Sequence, residues 1–218
     1  MKKIFAFLAV VALFLSTCQK KDDTASQTVS INGVSLASPM KVDKEHQSIT
    51  ILAFVNGKYL TENTRHAVVF KDGKFGDKPV FRALQNQNDF YQAMMSIGGK
   101  PGNNMTKENG PVTHVEGQKV AMSVTWNGAP KSYDINEVIS DSNNNPIDLR
   151  FGGNEKNAKE FNTGCITCLD SCSVGIISNR AYTYGAVEQR NEVVFHGITS
   201  VLPKDGTYVA ITYKLINE

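Results

Sequence analysis

The sequence is poor in most features that announce a function. No Ser/His/Asp order, metalloprotease helix or paired-carboxylate motif stands out, which sets hydrolase chemistry below the other readings. Asp134, Glu137, Asp141 and Asp148 are loosely spaced and read as solvated loop charges. The glycine-rich stretch 98–110 does not lead into a Lys-Ser/Thr pair and a helix, so a phosphate-binding loop is rejected. There is no internal repeat. An excess of one charge is lacking too: 23 Lys+Arg stand against 21 Asp+Glu. That balance argues against a nucleic-acid partner, which needs clustered positive charge. Cysteine is scarce, with four in 218 residues, but it is not scattered.

Long apolar runs are absent after the first. Met1-Lys2-Lys3 is a short basic start, and Ile4 to Leu15 is uncharged and apolar. This is the order of a secretory leader, too short for a spanning helix. Leu15-Ser16-Thr17-Cys18 closes it like a bacterial lipobox, with Thr17 where Gly, Ala or Ser is usual. The expectation is a signal peptide over 1–17 and a lipid on Cys18. The chain would then be exported and held at the cell envelope, periplasmic or surface, through its membrane anchor. Lys2 and Lys3 leave with the leader, so the remainder is close to neutral. Residues 18–27 are polar and without an apolar period, a flexible tether.

From residue 28 on, β patterns dominate. Val29, Ile31 and Val34 flank an Asn32-Gly33 turn, and Ser48 to Val55 and His66 to Phe70 are β-rich. Val120, Met122, Val124 and Trp126 alternate with smaller residues, Ser132 to Ile139 returns, and Tyr208 to Leu215 alternates again. One helix is clear, near 89–97, capped by Asn88 or Asp89. Phe90, Ala93, Met94 and Ile97 form its apolar face, and Gly98-Gly99 stops it. At that spacing Met94 is a core residue, not a copper thioether. The fold class expected is mainly β with one clear helix (α+β). It resembles an antiparallel sandwich, with a seam near 109–112 either dividing β-rich halves (28–110 and 111–218) or forming one loop of a single sandwich.

The chemistry concentrates in Gly164 to Ile176, where Cys165, Cys168 and Cys172 are spaced C-x2-C-x3-C. Thiolates select zinc, Cu(I) and iron–sulfur clusters and carry out disulfide exchange. With Cys18 lipidated, a tetrahedral site has no fourth cysteine. The candidates are His66, His114, His196, Asp170 or an exchangeable external ligand. His46 completes the four histidines. The leader carries Lys2-Lys3 and no twin arginine, so the chain crosses unfolded, which weighs against a cluster assembled before export. Metal capture after export, thiol exchange with a redox partner protein, or a structural disulfide in a non-catalytic binding protein remain open. A thioredoxin site is disfavoured because no βαβ pattern surrounds the C-x2-C.

Several segments resemble the YdjY-type domain, found in exported bacterial proteins often labelled 4Fe–4S ferredoxin-like. They are Met40 to Lys44, Asn56 to Tyr59, Arg65 to Phe70, Ile97 to Asn104, Arg150 to Asn154 and Gly164 to Cys172. The resemblance implies an iron–sulfur or electron-transfer role for the three cysteines. The chain departs from the ferredoxin run C-x2-C-x2-C-x3-C-P: Ser171 stands in the place of the third cysteine, and Ser173 where the proline would follow. No covalent-flavin motif is present, as Asp205-Gly206-Thr207-Tyr208 begins like one and then departs.

Overall fold

The computed structural model describes residues 29–217. The leader, Cys18 and the tether lie outside the described residues. In chain order the elements are β1 (Ser30–Ile31), β2 (Val34–Ser35), β3 (Met40–Asp43), β4 (Ser48–Val55), β5 (His66–Phe70) and β6 (Phe81–Ala83). Then come α1 (Gln87–Ser96), β7 (Val120–Thr125), β8 (Tyr133–Asp134), α2 (Ile135–Val138), β9 (Ile139–Asp141) and β10 (Leu149–Phe151). The last are α3 (Glu155–Phe161), β11 (Cys165–Cys168), β12 (Ile177–Asn179), β13 (Phe195–Gly197) and β14 (Tyr208–Leu215).

Ten strands form one sheet, nine in the order β10-β12-β11-β5-β6-β4-β14-β7-β8 and β3 paired with β4 off that path. β3 and β6 share one edge of β4, opposite its first and last residues respectively. The pairs β5/β6 and β11/β12 are parallel and the rest antiparallel. Two small pairs, β1/β2 and β9/β13, complete the strands. The sheet curls on itself. A bridge between Lys119 and Arg150, and the Phe151 N–H donating to the Gln118 carbonyl at 2.8 Å, bring the start of β7 against β10. β14 lies between β4 and β7, and β11 lies beside β5, so strands from 28–110 and 111–218 interleave in one sheet.

The alternation read in the sequence sets which face is buried. Ile49, Ile51, Ala53 and Val55 of β4 and Val209, Ile211, Tyr213 and Leu215 of β14 point into the main core. Leu52 and Ala210 face the other way and are covered by Ile31 and Val34 of the β1–β2 hairpin. That hairpin is why β4 is buried on both faces. α1 packs Phe90 against Tyr213, ring centroids 4.8 Å apart, and buries Met94 beside it.

The protein is of the expected α+β class, with three α-helices among the described residues where the apolar period marks one clearly. α1 starts at Gln87, and its cap is Asn86, whose side chain accepts the Asn88 and Asp89 N–H groups. The return after β7 is a short strand, then the single turn α2, held by a capping box of Asp134 and Glu137. Asp141 is not a solvated loop charge. It is buried, and the Tyr182 hydroxyl donates to it at 2.8 Å. Among the described residues no helix is long and apolar enough to cross a membrane.

Candidate metal centre

The site is built where β11 meets β5. A regular strand points residues three apart to opposite faces, so Cys165 and Cys168 would not meet. The pairing here is irregular: Cys165 lies opposite Val69, Thr167 opposite Val68, and Cys168 opposite His66. β11 has an extra residue between the first two pairs and β5 between the last two. The two bulges compensate, and each strand now presents residues three apart on one face. Cys165, Cys168 and Cys172 join Val69 there in a small buried cluster on the side away from the main core. Ile166 turns into the main core, and the Thr167 hydroxyl lies 2.8 Å from that of Tyr213.

One His66 ring nitrogen and the sulfurs of Cys165 and Cys168 all lie within 4.8 Å of one another, and all three residues are buried. Cys165 Sγ is 3.6 Å from His66 Nδ1. A soft cation could be held by these three residues. Cys172, also a buried free cysteine, lies in the same cluster as Cys168 but outside that tight set. Of the other candidate ligands, the exposed His114 has its Nδ1 2.6 Å from the Arg180 carbonyl. His196 is on β13, its Nδ1 3.0 Å from the Gly197 carbonyl. Asp170 is taken by Arg65, whose Nη2 and Nε donate to one carboxylate oxygen at 2.5 and 3.1 Å, while the Gly185 N–H donates to the other at 3.1 Å.

The three thiols share protons. The hydrogen bond from Cys168 holds Cys165 well below the ordinary thiol value, against burial and with help from the His66 ring. Cys172 is drawn down to about 7, first by Cys168 and also, against burial, by the Arg65 charge. Cys168, which donates, is pushed well up. It has a single S–H, so it serves one flanking sulfur at a time. The guanidinium of Arg65 stays charged although burial opposes it, because Cys172, Asp170 and Cys168 surround it. It also stacks over Tyr184, 4.4 Å from the ring centre.

Polar and glycine-rich segments hold this arrangement from behind. The Asn154 amide donates to the carbonyls of Cys172 at 3.0 Å and Gly175 at 3.2 Å, and the Asn157 amide to that of Ser173 at 2.9 Å. Asn154 is itself fixed by its N–H donating to Asn103 Oδ1 at 3.0 Å. The Gly102 and Asn103 N–H groups donate to the carbonyls of Phe151 and Gly152 at 3.0 and 2.8 Å. Gly117 allows the close approach: at φ +119°, a Cβ there would lie 2.1 Å from the Phe151 carbonyl oxygen. The stretch that resembles no phosphate loop is therefore a brace for the cysteine loop. Sequence reasoning missed Arg65, whose partner Asp170 lies 105 residues away in the chain and meets it only in the fold. It also missed Ser178, paired with Cys168 across β12, whose buried hydroxyl has no hydrogen-bond partner.

The model of the YdjY domain matches residues 40–214. A protein of Escherichia coli (strain K12) named "Uncharacterized protein YdjY" is 47% identical over 215 residues, spanning 98% of this chain and 95% of that one. No solved structure matches.

Proposed function

The chain belongs to the YdjY domain family, and from that premise we propose that it is an exported, lipid-tethered envelope protein holding one soft metal ion. His66, Cys165 and Cys168 are the ligands, and Cys172 is the sulfur beside them. The observation that carries this reading is the pair of compensating bulges, which gathers three soft donors within 4.8 Å in a buried spot. Two ligands of one ion, each about 2.0–2.3 Å from it, stand at most about 4.6 Å apart, so the set needs only a small inward shift. A [4Fe–4S] cluster gives each thiolate a different iron and spreads its sulfurs farther. The compactness therefore supports a single ion over the cluster that the resemblance implies. Three donors with a fourth to one side suit trigonal Cu(I), and zinc would draw Cys172 in as fourth ligand.

The full processed chain, purified without oxygen, is expected to hold about one equivalent of copper or zinc, the site being a single mononuclear one. Cys165→Ser, Cys168→Ser and His66→Ala should each abolish retention, whereas His114→Ala and His196→Ala should not. Retention of no metal by the native chain would end this reading. Iron with acid-labile sulfide would replace it by the cluster. A second reading, a redox or structural disulfide, is favoured by the contact of Cys168 with both neighbouring sulfurs. Mass mapping of the air-exposed protein would show Cys168 joined to Cys165 or Cys172.

A further inference from the structure

A cavity of about 200 Å³ opens over the thiol centre. Its wall includes Cys172 but none of His66, Cys165 and Cys168. Cys172 is thus the one cysteine of the three that lines the entrance, and Cys168 lies with it in the same buried cluster. The rim has a definite chemistry. Phe75, Tyr184 and the half-exposed Phe161 give apolar walls. Arg65, Lys74 and Lys107 are the charged lining residues, and no carboxylate is among them. Arg65 is already matched by Asp170, so Lys74 and Lys107 set the sign that an arriving ligand meets. Lys78 reinforces it from outside, its Nζ 5.0 Å from the Phe75 ring centre. The space admits one molecule of amino-acid size, not a folded domain.

We infer that this cavity seats a small thiol bearing a carboxylate, which brings the metal as its thiolate complex, and that Cys172 is the entry ligand. The inference rests on the metal reading above. Apolar walls take the carrier's carbon skeleton, and the lysines take its carboxylate. Transfer is ligand exchange without change of oxidation state. The metal–sulfur bond to the carrier breaks, a metal–sulfur bond to Cys172 forms, and the proton leaving Cys172 goes to the carrier sulfur. Next the metal passes to Cys168, whose proton returns to Cys172. Cys165, its proton released to solvent, and the neutral His66 ring then complete the coordination as the bond to Cys172 breaks.

The test loads the full processed chain in detergent, without oxygen, with Cu(I) from two carriers: N-acetylcysteine, which bears a carboxylate, and 2-mercaptoethanol, which does not. The double variant Lys74→Glu/Lys107→Glu should fill about tenfold more slowly from N-acetylcysteine at low salt. Its rate from 2-mercaptoethanol and its final copper content should match the native protein. Equal rates from both carriers, or equal slowing of both, would overturn the carboxylate site. Cys172→Ser should slow filling from either carrier yet reach the same final content, and loss of final content would make Cys172 a holding ligand, overturning its entry role. Should the native protein take no copper from either carrier, the metal reading itself fails. Binding of S-methyl-N-acetylcysteine to the metal-free chain, followed by NMR and weakened in the double lysine variant, tests the cavity separately; no shift of the Phe75 or Phe161 resonances would overturn it.

Discussion

Arg65 and Asp170 form a buried ion pair, and the guanidinium, which lines the same cavity as Cys172, also lies over Tyr184. Such a pair adds little compared with apolar residues of the same shape, but removing one partner strands the other charge. Asp170 would keep only the Gly185 N–H. Arg65→Ala should therefore cost about 3–5 kcal/mol in urea unfolding, far beyond a typical surface change. Gly175 is a different kind of constraint. A Cβ there would sit 2.9 Å from Cys168 Sγ and 2.8 Å from Ser178 Oγ. Gly175→Ala must push the sulfur or the hydroxyl aside. It should weaken metal retention, measured against a competing chelator, more than it lowers stability, where overpacking costs about 1–3 kcal/mol. Gly206→Ala is the control. Its φ of +74° makes alanine strained, but nothing lies within 4 Å of the added carbon. It should destabilise slightly and leave metal affinity unchanged; equal effects of both alanines on affinity would refute the direct contact.

Among the elements, β14 and β11 are tied through the core by the hydroxyls of Tyr213 and Thr167. Burial pushes the Tyr213 hydroxyl well above its ordinary value of 10.0, the Thr167 bond only partly offsetting it. Above that ordinary value the unfolded chain loses this proton while the folded chain keeps it. The unfolded state then binds fewer protons, so stability falls as pH rises from about 10 toward the folded value, by about 1.4 kcal/mol per pH unit for this group. Tyr213→Phe should be less stable at neutral pH, having lost the hydroxyl pair, yet its urea midpoint should fall less between about pH 8 and about pH 11. A parallel fall in both proteins would exclude Tyr213 as the source.

How legible these elements were depends on how local their cause is. The alternation in Val120 to Thr125 and Tyr208 to Leu215, and the 3.6-residue period of α1, come from burial of one face and were readable. α3, Glu155 to Phe161, buries only Ala158 and so has almost no period to read. α2 left a local sign, the Asp134–Glu137 capping box, hidden by the strand-like Tyr133 and Ile135 around it. The site was half legible. C-x2-C-x3-C marks where thiols concentrate, but His66 is chosen by the bulged register of β5 against β11, a contact 99 residues apart in the chain. Nothing in the local pattern distinguishes it from His196, which also lies on a strand.

At the scale of the whole molecule, one sheet carries both the proposed metal centre and the cavity over it. The sheet draws strands from both sides of residue 110, and the brace from Gly98 to Asn104 reaches the cysteine loop through Asn154. All these contacts lie within residues 29–217, so the described fold assembles the site from its own residues. Attachment and metal binding should then separate cleanly. Cys18→Ser should move the protein from the membrane fraction to the soluble fraction, because on the proposed reading the acyl chains would supply the membrane affinity and the near-neutral remainder would offer little electrostatic attraction to anionic lipid. The same variant should keep its full metal content, and its loaded form should unfold later on heating than its metal-free form, since an ion that binds only the folded chain stabilises it by mass action. Membrane retention after Cys18→Ser would refute the lipid tether. Loss of metal from a variant that still folds would refute the independence of the two, and would point to Cys18 itself as the missing thiolate.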